Sequence, residues 1–85
     1  MAVPLLLKPD HVPREAVPPY RRVAAVLRDG IESGELLPGE QVPSMARLSE
    51  EFSISRGTAR RVLITLRDEG LITITPGWGS FVAER

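Results

Sequence analysis

Two apolar-periodic segments lie about three residues apart in the middle of this chain, and a β-branched hairpin pattern follows them at once. Met45, Leu48 and Phe52 mark the first segment. Ala59, Val62, Leu63 and Leu66 mark the second, at i, i+3, i+4 and i+7, the spacing of one buried helix face. Ser53-Ile54 between them is too short for anything but a turn. Ser55 then offers an N-cap, its hydroxyl able to accept the amide of Gly57 or Thr58. Few folds accommodate two helices joined so tightly, so this spacing constrains the rest.

The remaining elements follow from punctuation. Prolines at 4, 9, 13, 18 and 19 remove amide donors and hold their predecessors extended, so residues 1–18 are expected as an extended arm. A first helix is expected from Tyr20 to about Ser33, with Tyr20, Val23, Ala24, Leu27 and Ile31 on one stripe. Gly34 is placed to take the left-handed conformation that ends a helix. Gly30 inside it costs about 1 kcal/mol against alanine, which points to close packing there. Glu35 to Glu40 is expected as a turn around Pro38-Gly39. Ser44 caps a second helix reaching about Glu51, and a third runs from Ser55 to Glu69, with Gly70 as its stop. Leu71 to Thr75 and Ser80 to Ala83 then form two strands around Pro76-Gly77-Trp78-Gly79.

Bulk properties bound the function. Eighty-five residues make one small domain. With 42% hydrophobic residues the chain is too apolar to be disordered throughout. No cysteine is present, which excludes disulfides and thiolate metal sites. Leu5-Leu6-Leu7 is too short for an export signal or a membrane span, so a cytoplasmic protein without membrane contact is expected. His11, the sole histidine, sits in the arm beside Asp10. No glycine-rich phosphate loop, metal-ligand spacing or nucleophile–base pair occurs, so no enzyme, cofactor or metal is expected.

Eleven basic residues balance eleven acidic ones, and their placement matters more than their sum. Pro19 to Ile54 carries four arginines against six acids, a surplus of two negative charges. Ser55 to Gly70 carries four arginines against Asp68 and Glu69 at its far end, a surplus of two positive charges. The third helix therefore opens Ser55-Arg56-Gly57-Thr58-Ala59-Arg60-Arg61 on a slightly acidic scaffold. In length and turn placement the two close helices match a helix-turn-helix. A helix entering the major groove needs long cationic arms near its N-terminus. Arg56, Arg60 and, less squarely, Arg61 supply them. Arginine binds guanine O6 and N7 in bidentate fashion, and free amides at a helix start attract phosphate.

The stretch from Tyr20 to Val82 resembles the DNA-binding domain of the GntR family of bacterial transcriptional regulators. The matching residues are Ile31-Glu32-Ser33-Gly34, Leu37-Pro38-Gly39-Glu40-Gln41-Val42-Pro43-Ser44 and Leu48-Ser49. They continue through Ile54-Ser55-Arg56-Gly57-Thr58-Ala59-Arg60, Leu66, Glu69-Gly70-Leu71 and Gly77-Trp78-Gly79-Ser80-Phe81-Val82. The resemblance implies a mainly α winged helix-turn-helix of three helices plus a small β-hairpin wing, spanning residues 19–85. It also implies a double-stranded operator, a short palindrome, bound by two copies. Ser55, Arg56, Thr58 and Arg60 then fall at the recognition-helix contacts, Ser44 at a phosphate contact and Gly77 at the wing tip.

Three departures stand out. Ala46 takes a place where the family often has arginine, and the neighbouring Arg47 points about 100° away on a helix. Trp78 takes the place of a frequent basic wing residue. The family's C-terminal ligand-binding and dimerising domain has no counterpart in these residues, so a homodimer is expected through the arm or only on DNA. The DNA-binding set is Ser44, Arg47, Ser55, Arg56, Gly57, Thr58, Arg60, Arg61, Gly77 and Trp78, and the function expected is operator binding by a transcriptional repressor. The alternative is a winged-helix module that grips a protein partner without DNA, which the zero net charge and the missing basic wing residue favour.

Overall fold

The computed structural model describes residues 17–84. The extended arm expected over 1–18, with Leu5-Leu6-Leu7 and His11, lies outside the described residues except for Val17 and Pro18. Helix α1 covers Pro19–Ser33, strand β1 Gln41–Val42, α2 Met45–Phe52, α3 Arg56–Asp68, β2 Ile72–Thr75 and β3 Gly79–Val82. Three helices and a small sheet make this a winged helix.

α1 starts on Pro19, one residue before the expected Tyr20. Proline suits that place because the first helical amide has no partner to lose. The amides of Arg21 and Arg22 donate to Pro18 O at 3.0 and 3.4 Å. Gly34 ends the helix at φ 89°. Gly30 does mark close packing, since a Cβ there would lie 3.4 Å from Leu36 Cδ1. Val23, Ala24, Leu27 and Ile31 are buried against α3, whereas Tyr20 is only half-buried.

The loop after α1 is more ordered than expected. Glu40 closes the Pro38-Gly39 turn, its amide donating to Leu37 O at 2.9 Å and its carboxylate accepting from the Leu37 amide at 2.6 Å. The chain then pairs as β1 antiparallel to β3, Gln41 opposite Phe81 and Val42 opposite Ser80. The sheet order is β1-β3-β2, so the expected two-stranded hairpin has a third strand. Two residues are too few to show a period in sequence.

The two tightly joined helices meet through Ser53, the one non-glycine residue with positive φ among the described residues, at 54°. Ser49 holds this turn. Its carbonyl accepts the amides of Ser53 and Ile54, and its hydroxyl donates to Ile54 O. α3 ends on a Schellman motif: the Gly70 amide donates to Arg67 O at 2.9 Å and the Leu71 amide to Leu66 O at 3.0 Å. Leu71 therefore serves both neighbours: its amide closes the helix end, and its carbonyl accepts the Ala83 amide at 2.9 Å just before β2 starts at Ile72. At the tip, Gly79 belongs to β3 rather than the turn. The core joins Leu48, Ala59, Val62, Leu63 and Leu66 to Val42, Leu71, Ile72 and Val82. Met45, expected on the buried side of α2, is exposed. It stands in the first turn, at the rim of a cleft between α2, α3 and the wing.

Candidate nucleic-acid interface

Sequence order sets the exposed face of α3. Ala59, Val62, Leu63 and Leu66 point inward, so Arg56, Gly57 and Arg60 are turned to solvent. Among the described residues, neither Arg56 nor Arg60 makes an ion pair or side-chain hydrogen bond. A guanidinium with no internal partner keeps its donor fork for an outside acceptor.

Beside this face lies an open cleft of about 360 Å³ between α3, the start of α2 and the wing. Arg60, Ile64 and Arg67 line one side, Ser44 and Met45 another, and Thr75, Pro76 and Gly77 the third. The cationic helix and the wing thus form two walls of one trough. Arg67 leans on its neighbour Asp68, Nη2 to Oδ1 at 3.1 Å, so of the two arginines on that rim only Arg60 has no partner among the described residues.

The hydroxyls occupy distinct states. Ser44 Oγ accepts the Arg47 amide at 3.2 Å, which uses a lone pair and leaves the hydroxyl proton to donate outward. Ser55 Oγ accepts the Thr58 amide at 3.0 Å and donates to Thr58 Oγ1 at 2.9 Å. Its proton is spent internally, and Thr58 becomes the outward donor of the pair. Gly57 adds no side chain between them, so the start of α3 presents bare backbone.

Two of the expected arginines sit differently from Arg56 and Arg60. Arg61 is turned toward α1: its guanidinium carbon lies 4.0 Å from the centre of the Tyr20 ring, and Nη2 is 3.4 Å from the phenol oxygen. A cation over an aromatic face is attracted by the ring quadrupole, and this contact fastens α1 to α3 instead of joining the trough. Arg47 holds Glu51 one turn along α2 at 2.8 Å, and this hydrogen bond raises the Arg47 pKa above the ordinary guanidinium value. At the far end of α3, Arg28 grips Glu69 with Nε to Oε1 at 2.8 Å and Nη2 to Oε2 at 2.7 Å. Those hydrogen bonds lower the Glu69 pKa and raise that of Arg28.

The wing tip is a turn in which the Trp78 amide donates to Thr75 O at 3.0 Å, with Gly77 at φ 81°. By sequence Gln41 has no role of its own beyond its place in the matching stretch, yet its Nε2 donates to Trp78 O at 3.4 Å. It lies so close to Gly79 that a Cβ there would stand 2.6 Å away. β1 thereby braces the wing against the core. The signal in sequence was faint: a single amide side chain after Pro38-Gly39-Glu40. Gly77 faces the cleft, and Trp78 projects from it with 77% of its surface exposed.

Comparison with known proteins gives the same frame. The chain is 42% identical over 73 residues to the histidine utilization repressor of Klebsiella aerogenes, covering 85% of this chain and 30% of that one. It is 38% identical over 68 residues to the transcriptional repressor NagR of Bacillus subtilis, covering 80% and 28%. The chain thus spans less than a third of the length of these curated relatives. Among solved structures, the AraR DNA-binding domain in complex with operator ORE1 superposes with a TM-score of 0.78 at 32% identity, covering 85% of this chain and 89% of that one. The same domain in complex with operator ORR3 gives 0.76 at 33% identity, covering 79% and 81%. The model for bacterial regulatory proteins of the gntR family matches residues 19–82, from the proline that starts α1 to the end of the wing, and the chain accordingly belongs to the GntR family.

Proposed function

We propose that this chain is a sequence-specific reader of double-stranded DNA in a transcriptional regulator, acting as a cytoplasmic repressor by occupying its operator. The observation that carries this is the pair Arg56 and Arg60, exposed and without a partner among the described residues, on α3 beside the trough that the wing completes. Arg56 and Arg60 read base edges in the major groove. Ser44, Thr58 and the bare backbone at Gly57 hold phosphates, Ser55 orients Thr58, Arg47 lends charge beside Ser44, and Gly77 brings the wing backbone close. Arg61 acts from behind by keeping α3 fixed on α1. Operator-bound relatives of the same fold support the assignment, as do the repressors among the similar sequences.

The test is selection of bound duplexes from a random pool, followed by gel shifts of the winning sequence at low and moderate salt. A preferred sequence with salt-dependent affinity is expected, since each neutralised phosphate releases counterions. Absence of any preferred duplex at both salts overturns the proposal and leaves a module that grips a protein partner.

A further inference from the structure

From Leu71 to Ala83 the wing contains no charged residue. Nothing in it can pair with a phosphate through a cation. Yet its tip is built firmly. The Trp78 amide and carbonyl are both engaged, by Thr75 and Gln41, and Gly79 sits at φ 120°, a conformation that L side chains rarely adopt. From this anchored backbone the sole tryptophan of the chain extends 77% exposed. Its ring N–H has no partner among the described residues. It is the most exposed of the large hydrophobic side chains among the described residues.

We infer that Trp78 is an uncharged anchor for the minor groove: its ring packs edge-on against deoxyribose and its N–H donates to an acceptor on the groove floor. This rests on the DNA-reading role proposed above. A minor groove about 6 Å wide admits a flat ring on edge, and its floor presents adenine N3 and thymine O2 to any A·T pair but adds a guanine amino group at G·C. An apolar wedge with one donor therefore favours A·T steps beneath the tip. On other architectures apolar side chains enter this groove as wedges between base steps; here the ring lies along the groove wall instead. Because no cation is involved, the contact adds affinity without adding salt dependence. The grip divides, with α3 carrying the charge and the wing carrying none.

The experiment uses the duplex selected from the random pool and the chain with Trp78→Ala and Trp78→Lys. Thermal unfolding first checks that both variants fold, as an exposed turn position permits. Trp78→Ala is expected to weaken binding about fivefold or more, the scale of losing one aromatic packing contact to a nucleotide, with the slope of log affinity against log salt unchanged. Trp78→Lys is expected to recover affinity at low salt and to steepen that slope by about 0.9, one added phosphate contact. The wild-type emission has a single source, and it should shift to shorter wavelength and resist acrylamide quenching when the duplex is added. Loss of protection on replacing A·T by G·C under the tip completes the expected set. If emission is unmoved and Trp78→Ala binds as tightly as wild type while a duplex is still selected, the inference fails and the reader role stands. Emission that shifts with protein concentration in the absence of DNA makes Trp78 a contact between copies and also overturns it. Failure to select any duplex removes both.

Discussion

Two arginines one turn apart on α3 differ from their neighbours in having no partner among the described residues, which on the proposed function separates reading from bracing. Arg60 stands on the rim of the trough, whereas Arg61 spends its guanidinium on Tyr20. Arg60→Ala should therefore cost about 1–3 kcal/mol of binding and relax preference at one base position. Competition gel shifts against single-base variants of the selected duplex check this, and uniform weakening across all sequences makes Arg60 a phosphate contact instead. Ser53 offers a second prediction at this scale. It is held left-handed at φ 54°, a conformation that costs an L-residue about 1–2 kcal/mol. Glycine escapes that cost but loses about 0.5–1 kcal/mol more chain entropy on folding. Ser53→Gly should raise stability by roughly 0.5–1 kcal/mol and leave binding unchanged, measured by urea unfolding and titration. A drop in stability would show that the serine side chain supports the turn. In the proton inventory, Ser55 and Thr58 act as one unit with a single outward donor.

The elements were legible in proportion to how many residues repeat their pattern. α1, α2 and α3 carry their apolar stripes over two turns or more, so their existence, order and caps at Ser44 and Ser55 could be read directly. β1 is two residues long and exists because β3 offers it a hydrogen-bonding edge, a partner that local pattern does not contain. Met45 was misplaced because the same helical stripe that buries Leu48 runs out at the first turn. Arg56 and Arg60 could be placed on an outer face by periodicity alone. That Arg61 would lie on Tyr20, Gln41 on the wing and Arg28 on Glu69 depends on how separate elements cross, which spacing along the chain does not encode.

The Arg28–Glu69 pair also sets a pH response for the α1–α3 packing. Hydrogen bonds from Arg28 lower the Glu69 pKa, so the pair's contribution is full above the unfolded carboxyl value, about 4.3. It is lost as pH falls through the depressed folded value. Since both side chains are about one-third exposed, the effect stays under about 1 kcal/mol. Thermal melts from pH 7 to 3 should show the wild type falling toward Glu69→Gln at the acid end, the two differing most near neutrality. Parallel curves at every pH would show that the pair does not titrate as a stabilising unit.

At the scale of the whole molecule, the described residues present one α3 and one wing, and few of their cations face the trough. A single copy should hold DNA weakly at physiological salt. Two copies on half-sites about one helical turn, roughly 34–36 Å, apart should restore affinity by sharing one palindrome. Sedimentation of the chain on the selected duplex should give two chains per duplex, and inserting half a turn between half-sites should break the second binding event. A complex of one chain with one duplex at nanomolar affinity would overturn this. Among the described residues no helix is long and apolar enough to cross a membrane.

The sheet order β1-β3-β2 makes the last strand the middle one. A tug on the backbone after Val82 is resisted in shear by both ladders at once, one leading toward the start of α2 and the other toward the end of α3. The start of α2 and the end of α3 are thereby tied to one shared strand, so a displacement of β3 is felt at both helices together.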